Sequence, residues 1–152
     1  MPAYSVVRVD LDSPAVVSAV SSASYAPGAV APGEIVSLFG PGVALQAAGG
    51  SLPLPTVLGG TSVEVTDSAG NTQLAPLFAV AAGQANLLVP AGLAAGKAAV
   101  TVWHGSTAAL TGTMTVASSA PGLYSMNQDG AGVAAANAYL VTASNQRVSQ
   151  TV

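Results

Sequence analysis

Residues 22–43, SASYAPGAVAPGEIVSLFGPGV, decide the fold class of this chain. They place the short apolar run EIVSLF between two turn signals, Pro32-Gly33 and Pro41-Gly42. Short apolar and β-branched runs bounded by Gly and Pro are typical of strands. The same pattern returns in residues 54–65, 75–102 and 118–125, so the sequence predicts a compact all-β module.

Strand positions follow from period-2 alternation and from the turns between the runs. Residues 61–66 are the clearest case, because Val63 and Val65 alternate with polar neighbours and so predict one buried and one wet face. The predicted strands are residues 5–9, 15–19, 34–39, 61–66, 72–80, 84–89, 98–104, 107–117, 132–136 and 139–142. This pattern predicts an immunoglobulin-like β-sandwich of about seven to nine strands, with extra terminal strand segments. A parallel sheet is disfavoured, because residues 44–48 and 91–95 offer at most one helical turn and no crossover helix.

The prediction divides the chain into three parts. Residues 1–12 form an N-terminal strand or arm, and residues 13–126 form the sandwich. Residues 127–152 form a C-terminal strand segment, which is either the start of a second β-element or a donated strand. A strand-forming segment that ends without a partner is an exposed pairing edge, so both ends are expected to fold back, to be cut from a larger protein or to pair with another chain.

Charge is scarce along this chain. Charged residues make up 6% of the 152 residues and the net charge is −3, whereas soluble domains carry about 25% charged residues. Three cations cannot neutralise a run of phosphates, which argues against a nucleic-acid partner. The uncharged stretches are interrupted by Pro, Gly, Ser and Thr, so no membrane span is expected.

The absence of cysteine excludes disulfides, thiolate metal sites and Cys nucleophiles, and it leaves the compartment open. No apolar signal-peptide core follows Met1, because Arg8, Asp10 and Asp12 stand where it should lie. The chain is therefore expected to be cytosolic as written, or a mature piece of an exported protein. Its neutral, Ser- and Thr-rich composition favours an extracellular or bacterial cell-surface location.

Eight turn-and-strand motifs follow one another along the chain. They are SYAPG (24–28), VAPGEIVSLFG (30–40), LPTVLGGTSV (54–63), APLF (75–78), GQAN (83–86), VP (89–90), APGLY (120–124) and GVAAA (132–136). In order and wording they resemble a family of uncharacterised C-terminal modules found in secreted and surface proteins of acidobacteria. The resemblance covers about residues 15–142, with Ser21 where the family usually has Asn and Ala82 where it has Pro. It implies an immunoglobulin-like fold, export and an appended or structural role, and it carries over no catalytic residues.

His104 is the one histidine of the chain, so any Ser-His-Asp arrangement must use it. Ser106 would share its face on a strand, but no G-x-S-x-G elbow surrounds that serine. The simpler interpretation is a hairpin end in which Trp103 packs inward and His104 faces water. Phe39, Phe78 and Trp103 are predicted to be core residues.

Metal sites have weak candidates. Asp10 and Asp12 would share one face of an extended segment, but Ca²⁺ needs six to eight oxygens and no other acidic cluster is near in sequence. Residues 127–130, NQDG, look like a fragment of a calcium loop, and Asp-Gly is far more often a tight turn. The glycine pairs at 49–50 and 59–60 lack a phosphate-loop pattern and are predicted to be turns. We therefore predict no metal, no cofactor and no catalytic residue.

These observations favour a non-enzymatic extracellular structural or assembly module, of which the specific form considered is a surface filament subunit that polymerises by β-strand addition. The alternative is an adhesion or carbohydrate-binding appendage of a larger secreted protein, and a hydrolase ranks last. The expected partners are further copies of the chain and a glycan, either bound or O-linked, with no nucleic acid and no membrane span. Predicted O-glycan acceptors are Ser21, Ser22, Ser24, Ser118 and Ser119, and predicted interface residues are Tyr4, Val6, Val7, Val9, Leu11, Tyr139, Leu140 and Val141.

Overall fold

The computed structural model describes residues 15–150, and over that range the chain forms strands and no helix. This confirms the all-β prediction. The elements are β1 (Ala15–Ser21), β2 (Ala29–Val30), β3 (Ile35–Phe39), β4 (Ala48–Gly49), β5 (Val57–Leu58), β6 (Thr61–Thr66), β7 (Thr72–Leu74), β8 (Leu77–Ala81), β9 (Gln84–Leu88), β10 (Gly96–His104), β11 (Thr107–Val116), β12 (Ala138–Val141) and β13 (Arg147–Gln150). None of these residues belongs to a helix long and apolar enough to cross a membrane.

Strand β1 joins two groups of strands. Its first half runs parallel to β11, with Val17 opposite Gly112, and its second half runs antiparallel to β3, with Val20 opposite Ser37. One group of strands continues from β3 through β9 and β8 to β4. The other group continues from β11 through β10 and β6 to β5. A β-carbon on Gly59, just after β5, would lie 2.8 Å from the Gln46 carbonyl oxygen, just before β4. The two outermost strands of the sheet order, β4 and β5, therefore lie close together.

The core between the two groups is aliphatic. Alternation places Val63 and Val65 of β6 fully inside, as the sequence predicts, and Val100 and Val102 face them from β10. The largest fully buried side chains are Leu38, Leu77, Leu87, Leu110, Val30, Val36, Val43, Val63, Val65, Val89, Val100 and Val102. Burial of this kind contributes about 25 cal/mol for each Å² of apolar surface removed from water, so these leucines and valines supply most of the driving force.

The aromatic residues predicted for the core lie outside it. Phe39 is 37% exposed, and Phe78 and Trp103 are half-buried. On β10 the pairing with β11 has a bulge or irregularity between Val102 and Trp103. Trp103 is half-buried with its indole Nε1 inside, and His104, predicted to face water, is also half-buried.

Residues 72–80, predicted as one strand, form two. β7 pairs with β6, whereas β8 pairs with β9 in the other group of strands. The chain changes partner at Ala75-Pro76, since the Ala75 amide still donates to Val63 and Pro76 has no amide hydrogen to continue the ladder. Residues 132–136, also predicted as a strand, make only a single bridge between Ser125 and Ala134.

The C-terminal segment finds a partner within its own chain. β12 and β13 form an antiparallel hairpin in which Leu140 lies opposite Val148 and Val141 opposite Arg147. The segment therefore folds back on itself, which is one of the outcomes expected for it. The N-terminal arm predicted for residues 1–12 lies outside the described residues.

Asp67 organises the turn between β6 and β7. Its carboxylate accepts hydrogen bonds from the backbone amides of Ala94, Ala69 and Asn71 and from the Asn71 side chain. The Ala94 bond, followed by the Asn71 side-chain bond, lowers the pKa of Asp67 from its ordinary 3.8 to about 2 against a smaller opposing effect of burial. One carboxylate therefore joins the β6–β7 turn to the loop that precedes β10.

We expect Asp67→Asn to lower the melting temperature at pH 7 and to have less effect as the solution becomes acidic. Because the folded pKa is the lower one, the carboxylate's contribution is present above its ordinary pKa and is lost as the pH falls towards 2. Thermal unfolding followed from pH 7 to pH 2 measures the difference. Asp129→Asn is the matched control, since that carboxylate bonds only within its own loop. A wild-type-to-variant difference that does not shrink in acid would contradict this role.

Candidate functional site

A cavity of about 290 Å³ opens between the loop that joins β1 to β3 and the segment that follows β11. Three serines and one carboxylate supply its polar lining: Ser21, Ser24, Ser119 and Glu34. The rest of the lining is small and apolar, and it includes Pro27 and Pro121 as well as alanines and glycines. Ligand-binding cavities combine such an apolar wall with a few polar groups.

Glu34 is held by the turn that precedes β3. The Glu34 amide donates to the Ala31 carbonyl at 3.0 Å, and the Ala31 amide donates to Glu34 Oε2 at 2.9 Å. Gly33 supplies the positive φ of 82° that this tight turn needs, and its amide donates to Val89. The turn therefore anchors both the backbone and one carboxylate oxygen of Glu34.

The second carboxylate oxygen of Glu34 has no partner. Oε1 is buried and makes no hydrogen bond to any of residues 15–150. A buried carboxylate oxygen without a partner is costly, because its lost hydration is not replaced. Glu34 lines the cavity, so a small movement of its side chain would present this oxygen to a donor there, and that makes Glu34 a candidate binding group.

The other wall of the cavity comes from the segment after β11. A β-carbon on Gly122 would lie 3.1 Å from both the Ala23 side chain and Ser21 Oγ, so this backbone passes close to the end of β1. Further along, Gly130 lies directly against the Ser24 carbonyl, where no side chain would fit. The segment is therefore docked against the β1–β3 loop at two glycines.

Residues 125–131 form the turn that carries Gly130. The amide of Gly130 donates to Ser125 Oγ at 3.0 Å, and the Asp129 carboxylate accepts from Ala131 and from the Asn127 side chain. Residues 127–130 therefore lie in a hydrogen-bonded turn, in which the Gln128 amide donates to the Ser125 carbonyl at 3.1 Å. Among residues 15–150 no group of three or more His, Asp or Glu residues is placed to hold a metal ion.

His104 lies away from this cavity. Its Nε2 is 3.1 Å from the carbonyl oxygen of Val43, and Ser106 is exposed beyond the end of β10. The imidazole thus bonds to the backbone between β3 and β4. The other predicted pair, Asp10 and Asp12, lies outside the described residues.

The predicted interface residues divide between two regions. Tyr139, Leu140 and Val141 lie on β12 and are 53%, 56% and 57% exposed, and all three are already paired with β13. The remaining predicted interface residues, Tyr4, Val6, Val7, Val9 and Leu11, lie outside the described residues.

Sequence reasoning gave Glu34 no functional role. One signal in the sequence could have found it, because Glu34 is the one charged residue between positions 13 and 63. A single carboxylate in so long an uncharged stretch suggests that the side chain makes a specific interaction. Here its Oε2 closes a turn and its Oε1 is left without a partner.

No protein-family model matches this chain, and no curated protein matches it. One similar solved structure is the crystal structure of a "Putative bacterial DNA binding protein from Bacteroides vulgatus", with 19% sequence identity and a TM-score of 0.38. The likeness covers 57% of this chain and 39% of that one. A likeness of this size carries no argument about what this chain binds.

The predicted function, a strand-exchanging filament subunit or else an adhesion or carbohydrate-binding appendage, is corrected. The neighbour that was found is described as a protein of a different class, and that class also departs from the predicted partners, which excluded nucleic acid. In the structure the C-terminal segment is paired within its own chain as a two-stranded hairpin. Of the predicted glycan acceptors, Ser21 and Ser22 are buried, whereas Ser118 and Ser119 are exposed.

Proposed function

We propose that this chain is a non-catalytic recognition domain that binds a small polar group in the cavity between the β1–β3 loop and the segment after β11. The observation that carries the proposal is Glu34, a residue of the cavity wall whose Oε1 is buried and has no hydrogen-bond partner. His104, the chain's one imidazole, bonds to the Val43 carbonyl and does not line the cavity, so the site offers recognition groups rather than an acid–base pair.

The finer fold assignment in this proposal is an immunoglobulin-like sandwich. Taken in chain order, the seven main strands β1, β3, β6, β8, β9, β10 and β11 correspond to strands A to G of that fold. The order β8-β9-β3-β1 then matches the ABED sheet, and β11-β10-β6 matches the CFG sheet. Binding sites of such sandwiches lie on the loops at their ends, as this cavity does. A bacterial extracellular location and the likeness to the acidobacterial modules are part of the same proposal.

A set of three butyl compounds tests the function. The full chain, labelled with ¹⁵N, is titrated separately with n-butylammonium, n-butanol and butyrate, which share a stem and differ in charge. We expect at least one compound to shift the amide resonances of residues 21–34 and 119–122 saturably, with an affinity on the order of millimolar for so small a ligand. If none of the three moves these resonances, the cavity holds only solvent and the proposed function is wrong.

A further inference from the structure

We infer that the ligand of this cavity is a primary ammonium group on an alkyl stem, as at the end of a lysine side chain of a partner polypeptide. The inference rests on the proposed function and names the ligand class of the same site.

The charge of the lining selects a cation. Glu34 is the one charged side chain in the cavity wall, and the other polar groups are serine hydroxyls that can accept as well as donate. Neither Lys97 nor Arg147 lines the cavity, so within residues 15–150 no internal cation is placed to neutralise Glu34 there. A cationic donor would form a charge-assisted hydrogen bond, which is about twice as strong as a neutral one.

The geometry of the carboxylate favours ammonium over guanidinium. An arginine would bind best through two parallel hydrogen bonds to both carboxylate oxygens. Oε2 already accepts the Ala31 amide at 2.9 Å, so a bidentate guanidinium would have to share that oxygen, whereas Oε1 has no partner. An ammonium presents three donors around one point, and it can bond to Oε1 while also reaching serine hydroxyls. The last torsion of a glutamate side chain is soft, so a small rotation turns Oε1 towards an incoming donor.

The remaining lining suits the stem that carries the charge. Pro27, Pro121 and the neighbouring alanines offer small apolar surfaces, against which the methylenes of a lysine can pack while its charged end stays polar. The volume of about 290 Å³ is at the lower end of ligand-binding cavities. A single side chain fits this description better than a whole drug-sized molecule.

Calorimetric titration with n-butylammonium tests the ligand class. We expect Glu34→Gln to weaken binding about tenfold to a hundredfold, as expected for loss of a hydrogen bond to a charged group. Gln keeps an oxygen for the Ala31 amide, so the variant is expected to melt within roughly 4 °C of the wild type. Glu64→Gln is the matched control, because it removes the same charge from the outer face of β6. The affinity of this variant should stay within about twofold of the wild type, because Glu64 does not line the cavity.

Ser119→Ala gives a second, independent variant on an exposed residue of the cavity rim. We expect it to weaken binding about twofold to tenfold, the effect of one neutral hydrogen bond.

Equal weakening by Glu34→Gln and Glu64→Gln would mean that the net negative charge of the protein, rather than Glu34, attracts the ammonium group, and it would overturn the inference. So would tighter binding of n-butylguanidinium, n-butanol or butyrate than of n-butylammonium, and in that case the proposed function would stand with another ligand.

A further titration, with Nα-acetyl-lysine methylamide, tests whether the ammonium group belongs to a polypeptide. This compound should bind at least as well as n-butylammonium, and binding of the free amine alone would contradict a polypeptide partner.

Discussion

Leu87→Ala is expected to lower the free energy of unfolding by about 2–5 kcal/mol, which is a large part of the stability of a domain of this size. Leu87 is 2% exposed on β9, and it lies in register between Leu77 on β8 and Val36 on β3, both of which are fully buried. Truncation removes apolar contact and leaves a cavity that these neighbours cannot fill without moving.

Equilibrium denaturation in urea measures this loss. Leu45→Ala is the matched control, because Leu45 is 81% exposed and the same truncation should change the free energy of unfolding by less than about 0.5 kcal/mol. Similar losses for both variants would mean that the aliphatic core assigned to Leu87 is not where the stability of the chain resides.

Gly112→Val is expected to lower the free energy of unfolding by about 1–3 kcal/mol or more, because it overfills the place where β1 crosses between the two groups of strands. A β-carbon at Gly112 would collide with the carbonyl oxygen of Val17 and would lie 2.7 Å from one of its methyl groups. The obstacle is backbone as well as side chain, so a change of rotamer cannot relieve it. The parallel pairing of β1 with β11 would have to open.

Hydrogen exchange of the β1 amides, measured together with urea denaturation, checks this prediction. The variant should lose protection in the first half of β1, which pairs with β11, before the antiparallel half that pairs with β3. Thr113→Val is the control, because it introduces the same valine at the next residue, where the side chain is exposed and has room. Unchanged protection in Gly112→Val would contradict the crossing described for β1.

The strands could be predicted from the sequence where local signals agree. Residues 61–66 alternate valines with polar residues between two turns, and β6 occupies those residues in the structure. The pairing of β1 could not be predicted in this way. A parallel sheet was disfavoured for lack of a crossover helix, yet β1 and β2 both run parallel to β11. β1 and β11 are neighbours in the sheet but are far apart in the sequence, so the chain that connects them is most of the domain.

The placement of the aromatic residues shows a second limit. Phe39, Phe78 and Trp103 sit in apolar runs, where size alone suggests burial. The runs are also rich in valine and leucine, which fill the interior from the alternate positions. In a short run that is apolar on both faces, the sequence does not show which face is inside.

The candidate site depends on contacts that are distant in sequence. Its carboxylate follows a Pro-Gly turn, whereas its other wall lies about 85 residues later, at 119–122. Local patterns place Glu34 at the start of a strand and Pro121-Gly122 in a turn, and nothing in either pattern brings them together. The tertiary fold makes the cavity, and the missing partner of Oε1 then gives it a chemical preference.

The most direct test of the account follows the Ala31 amide during titration of the full chain with n-butylammonium. The Ala31 N–H donates to Glu34 Oε2, so its resonance reports any donor that binds to the same carboxylate. We predict a saturable shift of this resonance in the wild type and in Glu64→Gln, and in Glu34→Gln a shift that needs about tenfold to a hundredfold more ligand. An Ala31 resonance that stays still in the wild type, or that moves equally in Glu34→Gln, would contradict the central claim that this cavity is a cation-binding site.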